Sequence, residues 1–133
     1  MNIPPNVDER LGSEPLIWMT TVTTTGRPQP SPVWFLWNGE DIRMFSKDNT
    51  ARLSNIAGNP HVSLNLDGDG RGGAIVVIEG TAQVERDHPP AWAMPEYIEK
   101  YQSFLNRYGW TAKSFSADYP VPIVIRPTRL RSW

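Results

Sequence analysis

The chain lacks cysteine altogether, which excludes disulfide bonds, thiol nucleophiles and cysteine-based zinc sites. Histidine is nearly as scarce, because His61 and His88 are the only two and they lack the short spacing of a metal-binding pair. We therefore expect neither a protein-bound metal nor a histidine-based triad. If the protein is an enzyme, a bound cofactor has to carry the chemistry.

A strong charge of either sign and a long apolar run are also missing. The 13 basic and 14 acidic residues nearly cancel, which argues against general binding to nucleic acid or to an anionic membrane surface. No stretch reaches the ~18 consecutive apolar residues of a transmembrane helix, and the polar N-terminus lacks the features of a secretory signal. We expect a cytoplasmic protein with no nucleic-acid or membrane partner, folded as one domain over residues 1–133.

The chain is rich instead in short runs of β-branched and aromatic residues. Six runs predict strands: Leu16–Thr25, Ser31–Trp37, Ile42–Ser46, His61–Asp67, Ala74–Glu85 and Val121–Arg131. Residues 1–14 form a polar N-terminal arm, and residues 89–119 form a helical insertion before the last strand. The pattern is typical of a mainly β fold, an antiparallel barrel of six or more strands with helical additions.

Three of these runs also predict where or how their strands lie in the sheet. Ser31–Trp37 is apolar on both faces, so we expect the barrel interior on one side and a ligand or a second subunit on the other. Gly80 interrupts Ala74–Glu85, which predicts a bend or bulge that lets the sheet curl. The prolines of Val121–Arg131 indicate an edge strand.

The stretch Ile42–Asp67 carries the clearest candidate site. It predicts a strand, a polar loop, one short helix and a second strand. Lys47 lies just before that helix, and Arg52 lies in its first turn. Cations are unfavourable by ~0.3–1 kcal/mol each at this end, because the helix dipole is positive there. A bound anion would reverse the sign of that contribution.

A hydroxyl group from Ser46 or Thr50 would complete this site. Together with the two cations and the backbone N–H groups of the helix N-terminus, it forms a candidate phosphate-binding site. The residues alone leave an alternative open, in which Asp48 or Asn49 caps the helix and both cations lie in solvent.

Three segments, taken in order, resemble a known family. They are MTTVTTTGRPQPSPVWFLWNGE, IRMFSKDNTARLSNIAGNPHVSLNL and VVIEGTAQV. Their succession resembles the split β-barrel proteins related to pyridoxamine 5′-phosphate oxidase, which have an FMN-binding type of fold. Within that group the chain is most similar to the branch of probable coenzyme F420-dependent oxidoreductases, including the terminal PTRLRSW. The resemblance runs from about residue 16 to the C-terminus, and residues 89–119 match loosely.

This resemblance implies a homodimer with a flavin or deazaflavin bound in clefts between the subunits. The implied cofactor-binding residues are Pro32, Val33 and Trp34 along the ring system, and Ser46, Lys47, Thr50, Ala51 and Arg52 around the phosphate. Flavin-using oxidases carry an Arg-Lys pair where this chain has Ala51 and Arg52, so one cation is missing. That departure is compatible with F420, whose lactyl-oligoglutamate tail would extend toward Arg71 or Arg129.

The implied activity is hydride transfer between reduced F420 and a small unsaturated or carbonyl-type substrate. An FMN-dependent oxidase or reductase on the same fold is one alternative. A non-catalytic F420-binding or carrier protein is another, because no acid–base residue is evident and no catalytic residue is assigned. Haem binding, which also occurs on related barrels, ranks last because neither histidine has a recognisable ligand context.

Overall fold

The computed structural model describes every residue from Met1 to Trp133. The order of its elements is α1 (Pro5–Ser13), β1 (Ile17–Val22), β2 (Pro28–Val33), β3 (Leu36–Trp37), β4 (Ile42–Ser46), α2 (Ala51–Gly58), β5 (His61–Asn65), β6 (Val76–Val84), α3 (Pro95–Tyr108), α4 (Ala112–Asp118) and β7 (Val121–Ser132). A short 3-10 helix, Ala91–Ala93, precedes α3. None of these helices combines the length and the apolar character that a membrane crossing requires.

All seven strands belong to one antiparallel sheet in the order β2-β1-β5-β6-β7-β4-β3. The sheet curls into a half-barrel around a core that includes Met19, Phe35, Leu64 and Ile123, and α1 adds Leu11 to it. A second, aromatic cluster lies between α3, α4 and the sheet. The predicted fold class is therefore confirmed as a mainly β split barrel, here with seven strands and four helices.

The long strand β6 has its predicted irregularity at Gly80. The pairing register with β7 shifts between Glu79 and Gly80, where Thr128 is an extra residue on β7 and donates a hydrogen bond to the carbonyl oxygen of Glu79 at 3.2 Å. A Cβ atom at Gly80 would lie 2.8 Å from the carbonyl oxygen of Arg126. The close approach of the two backbones at this bulge therefore requires glycine.

Replacing Gly80 by alanine should lower the free energy of unfolding by about 1–3 kcal/mol, because the new methyl group overlaps the backbone of β7. Gly12→Ala is the matched control, since its added Cβ meets nothing within 4 Å and alanine is favoured within α1. Urea denaturation of both variants and the wild type measures the difference. Equal stability of the two variants would show that the bulge relaxes around a side chain.

The bounds predicted for the second strand, Ser31–Trp37, are wrong. The strand β2 begins earlier, in the proline-rich segment, and the chain breaks at Trp34-Phe35 before β3. The three prolines of β2 occupy alternate positions of an edge strand that pairs only with β1. Alternate N–H groups of an edge strand face the same side, so prolines at these positions leave the pairing with β1 intact.

The chain itself covers one apolar face of this segment and part of the other. Val33 and Phe35 belong to the main core, whereas Trp34 and Leu36 pack against the aromatic cluster of α3 and α4. Residues 89–119 fold back over the sheet and cover Trp34 and Leu36 in part. Part of the latter face stays open, because Pro32 is exposed and Trp34 is only half-buried, so a ligand or second subunit over this face stays a prediction.

The prolines of the last strand predicted an edge strand, and this prediction is wrong. The strand β7 lies inside the sheet, between β6 and β4. Pro122 is the second residue of β7, and Pro127 lies beside the bulge, so neither interrupts a regular stretch of hydrogen bonds. The other predicted strands are present: β4 has its predicted bounds, β1, β5 and β6 are up to three residues shorter at an end, and β7 is one residue longer.

Candidate functional site

A cavity of about 440 Å³ lies between the sheet and helices α3 and α4. This volume falls in the range of small-molecule sites. The residues that line it are Leu16, Pro32, Val33, Trp34, Phe45, Lys47, Thr50, Arg52, Tyr97, Tyr108, Trp110, Phe115 and Tyr119. Most of these residues are aromatic. No carboxylate and no histidine is among them, so the charges of the wall, those of Lys47 and Arg52, are both positive.

Arg52 makes one end of the cavity basic. Its Nη2 donates a hydrogen bond to the Ser31 hydroxyl at 2.7 Å, whereas its Nε is buried without a partner. Burial lowers the pKa of Arg52, and Tyr119 partly opposes this. Neither Arg52 nor Lys47 takes part in an ion pair of this chain. The half-buried guanidinium group therefore carries a positive charge that no carboxylate compensates, and an anionic ligand would compensate it.

Thr50 shapes the start of α2 beside these cations. It is the N-cap residue, and its Oγ1 accepts a hydrogen bond from the backbone N–H of Leu53 at 3.4 Å. The Thr50 hydroxyl also lies 3.2 Å from that of Ser46, which is buried and donates to the Lys47 carbonyl oxygen. The predicted alternative of a cap at Asp48 or Asn49 is therefore wrong, because Thr50 occupies the capping position. Its other part holds for Lys47, which is exposed, but not for the half-buried Arg52.

The aromatic wall is built around Trp34. Its ring stacks on Tyr101 of α3, with centroids 4.5 Å apart, and on Phe115 of α4, with centroids 5.2 Å apart. Phe115 stacks in turn on Tyr119 at 4.7 Å. Such contacts between aromatic rings add to the stabilisation that comes from burial, so this side of the cavity is a packed, rigid surface.

Helix α3 also holds the break between β2 and β3 in place. The Tyr101 hydroxyl accepts a hydrogen bond from the backbone N–H of Phe35 at 2.7 Å and donates to the Pro15 carbonyl oxygen at 2.8 Å. Lys100 Nζ donates to the Phe35 carbonyl oxygen at 2.9 Å, and burial lowers the pKa of Lys100 to about 8. These bonds satisfy the backbone groups that leave the sheet at Phe35 and thereby fix Trp34 next to it.

The mouth of the cavity is apolar and open. Tyr108 and Trp110 flank Gly109, which ends α3 in the left-handed conformation, and their rings lie 4.9 Å apart. Tyr108 is 57% exposed, and Leu16 and Trp110 are each 36% exposed. Large apolar side chains grouped at a cavity mouth are typical of surfaces that bind a ligand or another protein.

Most of the predicted site residues lie together in the structure. Pro32, Val33, Trp34, Lys47, Thr50 and Arg52 all line the cavity. Ser46 lies behind Thr50 and does not reach the wall. Ala51 lines a smaller polar pocket of about 270 Å³ that shares Thr50 and Arg52 with the cavity.

The two arginines expected near a cofactor tail lie elsewhere. Arg129 is on β7, and its Nε is 3.9 Å from the Glu79 carboxylate. Arg71 is exposed in the glycine-rich loop between β5 and β6. Neither residue lines the cavity or the polar pocket beside it.

The tyrosines of the site are not among the predicted site residues. The sequence predicts only a helical insertion over residues 89–119, with no site residue in it. Yet all four tyrosines of the chain fall between residues 97 and 119, and Tyr97, Tyr108 and Tyr119 line the cavity. A phenol has an apolar body and a polar tip, which suits a cavity wall, so this concentration is the signal that could have found them.

A seven-stranded antiparallel sheet curled into a half-barrel, with an aromatic cavity between it and two helices, defines the split β-barrel class. The sequence profile described as pyridoxamine 5′-phosphate oxidase matches residues 3–133, and the chain belongs to this family. The resemblance seen in the sequence is thereby confirmed. No curated protein matches the chain.

Solved structures of this fold match nearly the whole chain. An F420 reductase is 24% identical, with a TM-score of 0.72, over 97% of this chain and 98% of the other. A pyridoxamine 5′-phosphate oxidase candidate from Listeria innocua is 23% identical, with a TM-score of 0.69, over 95% and 94%. The haem storage protein HutZ from Vibrio cholerae is 20% identical, with a TM-score of 0.67, over 99% and 95%. At these identities the likeness establishes the shared fold alone.

Proposed function

We propose that the protein is an oxidoreductase that uses coenzyme F420 and transfers a hydride between the reduced coenzyme and a small unsaturated or carbonyl-type substrate. The observation that carries this proposal is the half-buried guanidinium of Arg52, without an acidic partner, at one end of an aromatic cavity. A cofactor with a planar ring system joined to a phosphate matches this site, because the ring suits the aromatic wall and the phosphate suits the basic end. An F420 reductase is among the proteins that share the fold.

The residues present fit such a cofactor. The guanidinium group of Arg52 and the ammonium group of Lys47 would hold the phosphate, together with the N–H groups of Ala51 and Arg52 at the start of α2, which have no intrahelical partner. The ring system would lie against Pro32, Val33 and the aromatic wall. Charge-assisted hydrogen bonds from a planar guanidinium are the stronger kind and suit phosphate geometry.

Two features favour F420 over FMN. Ala51 stands where the resemblance places a cation in flavin-using relatives, so the cation at that position is missing here. The polar pocket beside Arg52, lined also by Thr21, Gln29 and Ser31, continues from the phosphate position. We place the lactyl-oligoglutamate tail of F420 along this pocket rather than near Arg71 or Arg129, which lie elsewhere.

When bound, reduced F420 supplies a hydride to the substrate. The chain itself would hold the two flat molecules against the aromatic wall and exclude water from between them. Orientation of this kind is a large source of rate acceleration, worth up to about 7–11 kcal/mol in well-aligned reactions. No acidic side chain or histidine lines the cavity, so the proton that the reduced substrate takes up after hydride transfer would come from a tyrosine hydroxyl or from water.

The proposal includes a homodimer. Leu16, Tyr108 and Trp110 leave an apolar patch at the cavity mouth, and a second subunit over this patch would close the cofactor cleft. Such a cover would also exclude water from the reacting atoms. Sedimentation velocity of the purified protein, with and without F420, tests this part of the proposal.

Titration of the purified protein with F420 and with FMN tests the cofactor. We expect F420 to bind at least about tenfold more tightly than FMN, a difference of about 1.4 kcal/mol. Tryptophan fluorescence reports binding because Trp34 and Trp110 line the cavity. Haem is the negative control, since neither histidine lines the cavity. Tight FMN binding without a response to F420 would contradict the proposal.

Oxidation of reduced F420 in the presence of enones, quinones and nitro compounds tests the reaction. We expect turnover with at least one of these classes, because all are flat, electron-poor molecules that suit an aromatic wall. F420 binding without turnover across the whole panel would favour the carrier protein instead.

A further inference from the structure

Tyr97 is the buried side chain of the cavity whose polar atom has no partner. It lies on α3 and is only 1% exposed. Its ring meets Phe45 edge-on at 5.1 Å and lies 5.1 Å from the Tyr101 ring. Its hydroxyl group is buried and forms no hydrogen bond with the rest of the chain. Buried polar groups are nearly always paired in folded proteins, so this one calls for a partner.

The position of Tyr97 indicates where that partner comes from. The residue lines the cavity, and Tyr119, which also lines it, is close enough to act electrostatically on the Tyr97 hydroxyl. Tyr101, four residues further along α3 and equally buried, has its hydroxyl fully used by Phe35 and Pro15. Arg52 Nε is the other buried polar atom of the cavity without a partner. Tyr97 and Arg52 both line the cavity, and neighbouring side chains cover the two unpaired atoms, so a ligand in the cavity reaches them once those side chains shift.

We propose that the Tyr97 hydroxyl donates a hydrogen bond to a carbonyl-type oxygen of a planar molecule held in the cavity, and so selects ligands that present such an oxygen to the inner wall. This inference rests on the proposed function, because it takes the cavity to hold a deazaflavin and a flat substrate. The oxygen belongs either to the ring system of the cofactor or to an enone or quinone substrate. The two sources share one chemistry, and binding measurements separate them.

The hydroxyl serves as a hydrogen-bond donor and not as a source of protons. Burial raises the pKa of Tyr97 well above its ordinary value, since a phenolate ion there would be desolvated. The group therefore remains protonated at neutral pH. A donated hydrogen bond polarises a carbonyl group and favours the charge that develops on its oxygen during hydride addition.

Tyr97→Phe tests the inference through two independent readouts. The first is the thermal stability of the ligand-free protein, which should be unchanged or higher, because the variant removes a buried hydroxyl that has no partner. Tyr101→Phe is the matched contrast on the same helix. It should lower the thermal midpoint, since it leaves the Phe35 N–H without an acceptor.

The second readout is binding. Tyr97→Phe should weaken ligand binding by about 3- to 10-fold, the scale of one neutral hydrogen bond. A higher Kd for F420 alone assigns the oxygen to the cofactor. An unchanged Kd for F420, with a higher Kd for menadione on F420-loaded protein, assigns it to the substrate. Either result supports the inference.

The outcomes that overturn the inference differ from those that overturn the proposed function. If wild-type protein fails to bind F420, the proposed function falls and this inference falls with it. If wild-type protein binds F420 but Tyr97→Phe leaves both dissociation constants unchanged, the inference alone is overturned. A loss of thermal stability in Tyr97→Phe as large as that in Tyr101→Phe also overturns it, because the hydroxyl would then have a partner within the chain.

Discussion

Replacing Arg52 by alanine should weaken F420 binding by about 1.5–3 kcal/mol, or roughly 10- to 150-fold in Kd, which is the scale of a lost charge-assisted hydrogen bond. The guanidinium group is half-buried, its Nε has no partner, and its one hydrogen bond within the chain goes to Ser31. Fluorescence titration of the variant measures the change. The effect should shrink at high salt in so far as the contact is electrostatic.

The same variant should fold as well as the wild type. Burial disfavours the charged form of Arg52, as its lowered pKa shows, and no ion pair is lost when the side chain is removed. A loss of affinity without a loss of stability therefore distinguishes a ligand contact from a structural one. Thermal denaturation without cofactor provides this second measurement.

Two further variants sharpen the experiment. Arg52→Lys keeps the charge but loses the planar fork, so its affinity should fall between those of the wild type and Arg52→Ala. Arg86→Ala is the charge-matched control, because Arg86 is exposed in the loop after β6 and does not line the cavity. If Arg52→Ala binds F420 no more weakly than Arg86→Ala, the phosphate lies elsewhere.

Replacing Trp34 by alanine should lower the free energy of unfolding by about 3 kcal/mol, at the lower end of the usual range for truncating a buried aromatic side chain because Trp34 is only half-buried. The variant loses the stacking contacts with Tyr101 and Phe115 at once. Those contacts connect the helical insertion to the sheet, so α3 and α4 should lose much of their anchorage. Urea denaturation followed by far-ultraviolet circular dichroism measures the loss.

Trp133→Ala is the matched control for this prediction. The side chain of Trp133 is 66% exposed at the C-terminus, so its truncation should change stability by less than about 0.5 kcal/mol. Trp34→Phe should recover part of the stacking energy and give an intermediate stability. If Trp34→Ala is no less stable than Trp133→Ala, other contacts hold the insertion on the sheet.

The basic end of the site could be predicted from sequence because it is local. Lys47, Thr50 and Arg52 are close in the chain, and a helix that begins between them brings their side chains to one end of it. The irregularity at Gly80 was also predictable, since a glycine within a long apolar strand has few structural explanations. In both cases the signal and its consequence lie within a few residues.

The role of the prolines could not be predicted in the same way. Prolines limit where a strand can form hydrogen bonds but do not say which neighbour it has. Those of β2 lie on a true edge, whereas those of β7 lie at its start and beside a bulge inside the sheet. The difference depends on pairing between distant strands, which no local pattern of prolines contains.

By itself, the sequence determined the mainly β class, the helix start with its two cations, and the exclusion of cysteine and paired-histidine chemistry. Only the tertiary structure decided that residues 97–119 fold across the sheet and face residues 32–52, so that Tyr97 and Arg52 line one cavity. The physical reason is separation along the chain. Local propensities and short spacings specify helices, strands and caps, whereas a cavity wall forms from side chains that meet only when distant segments pack together.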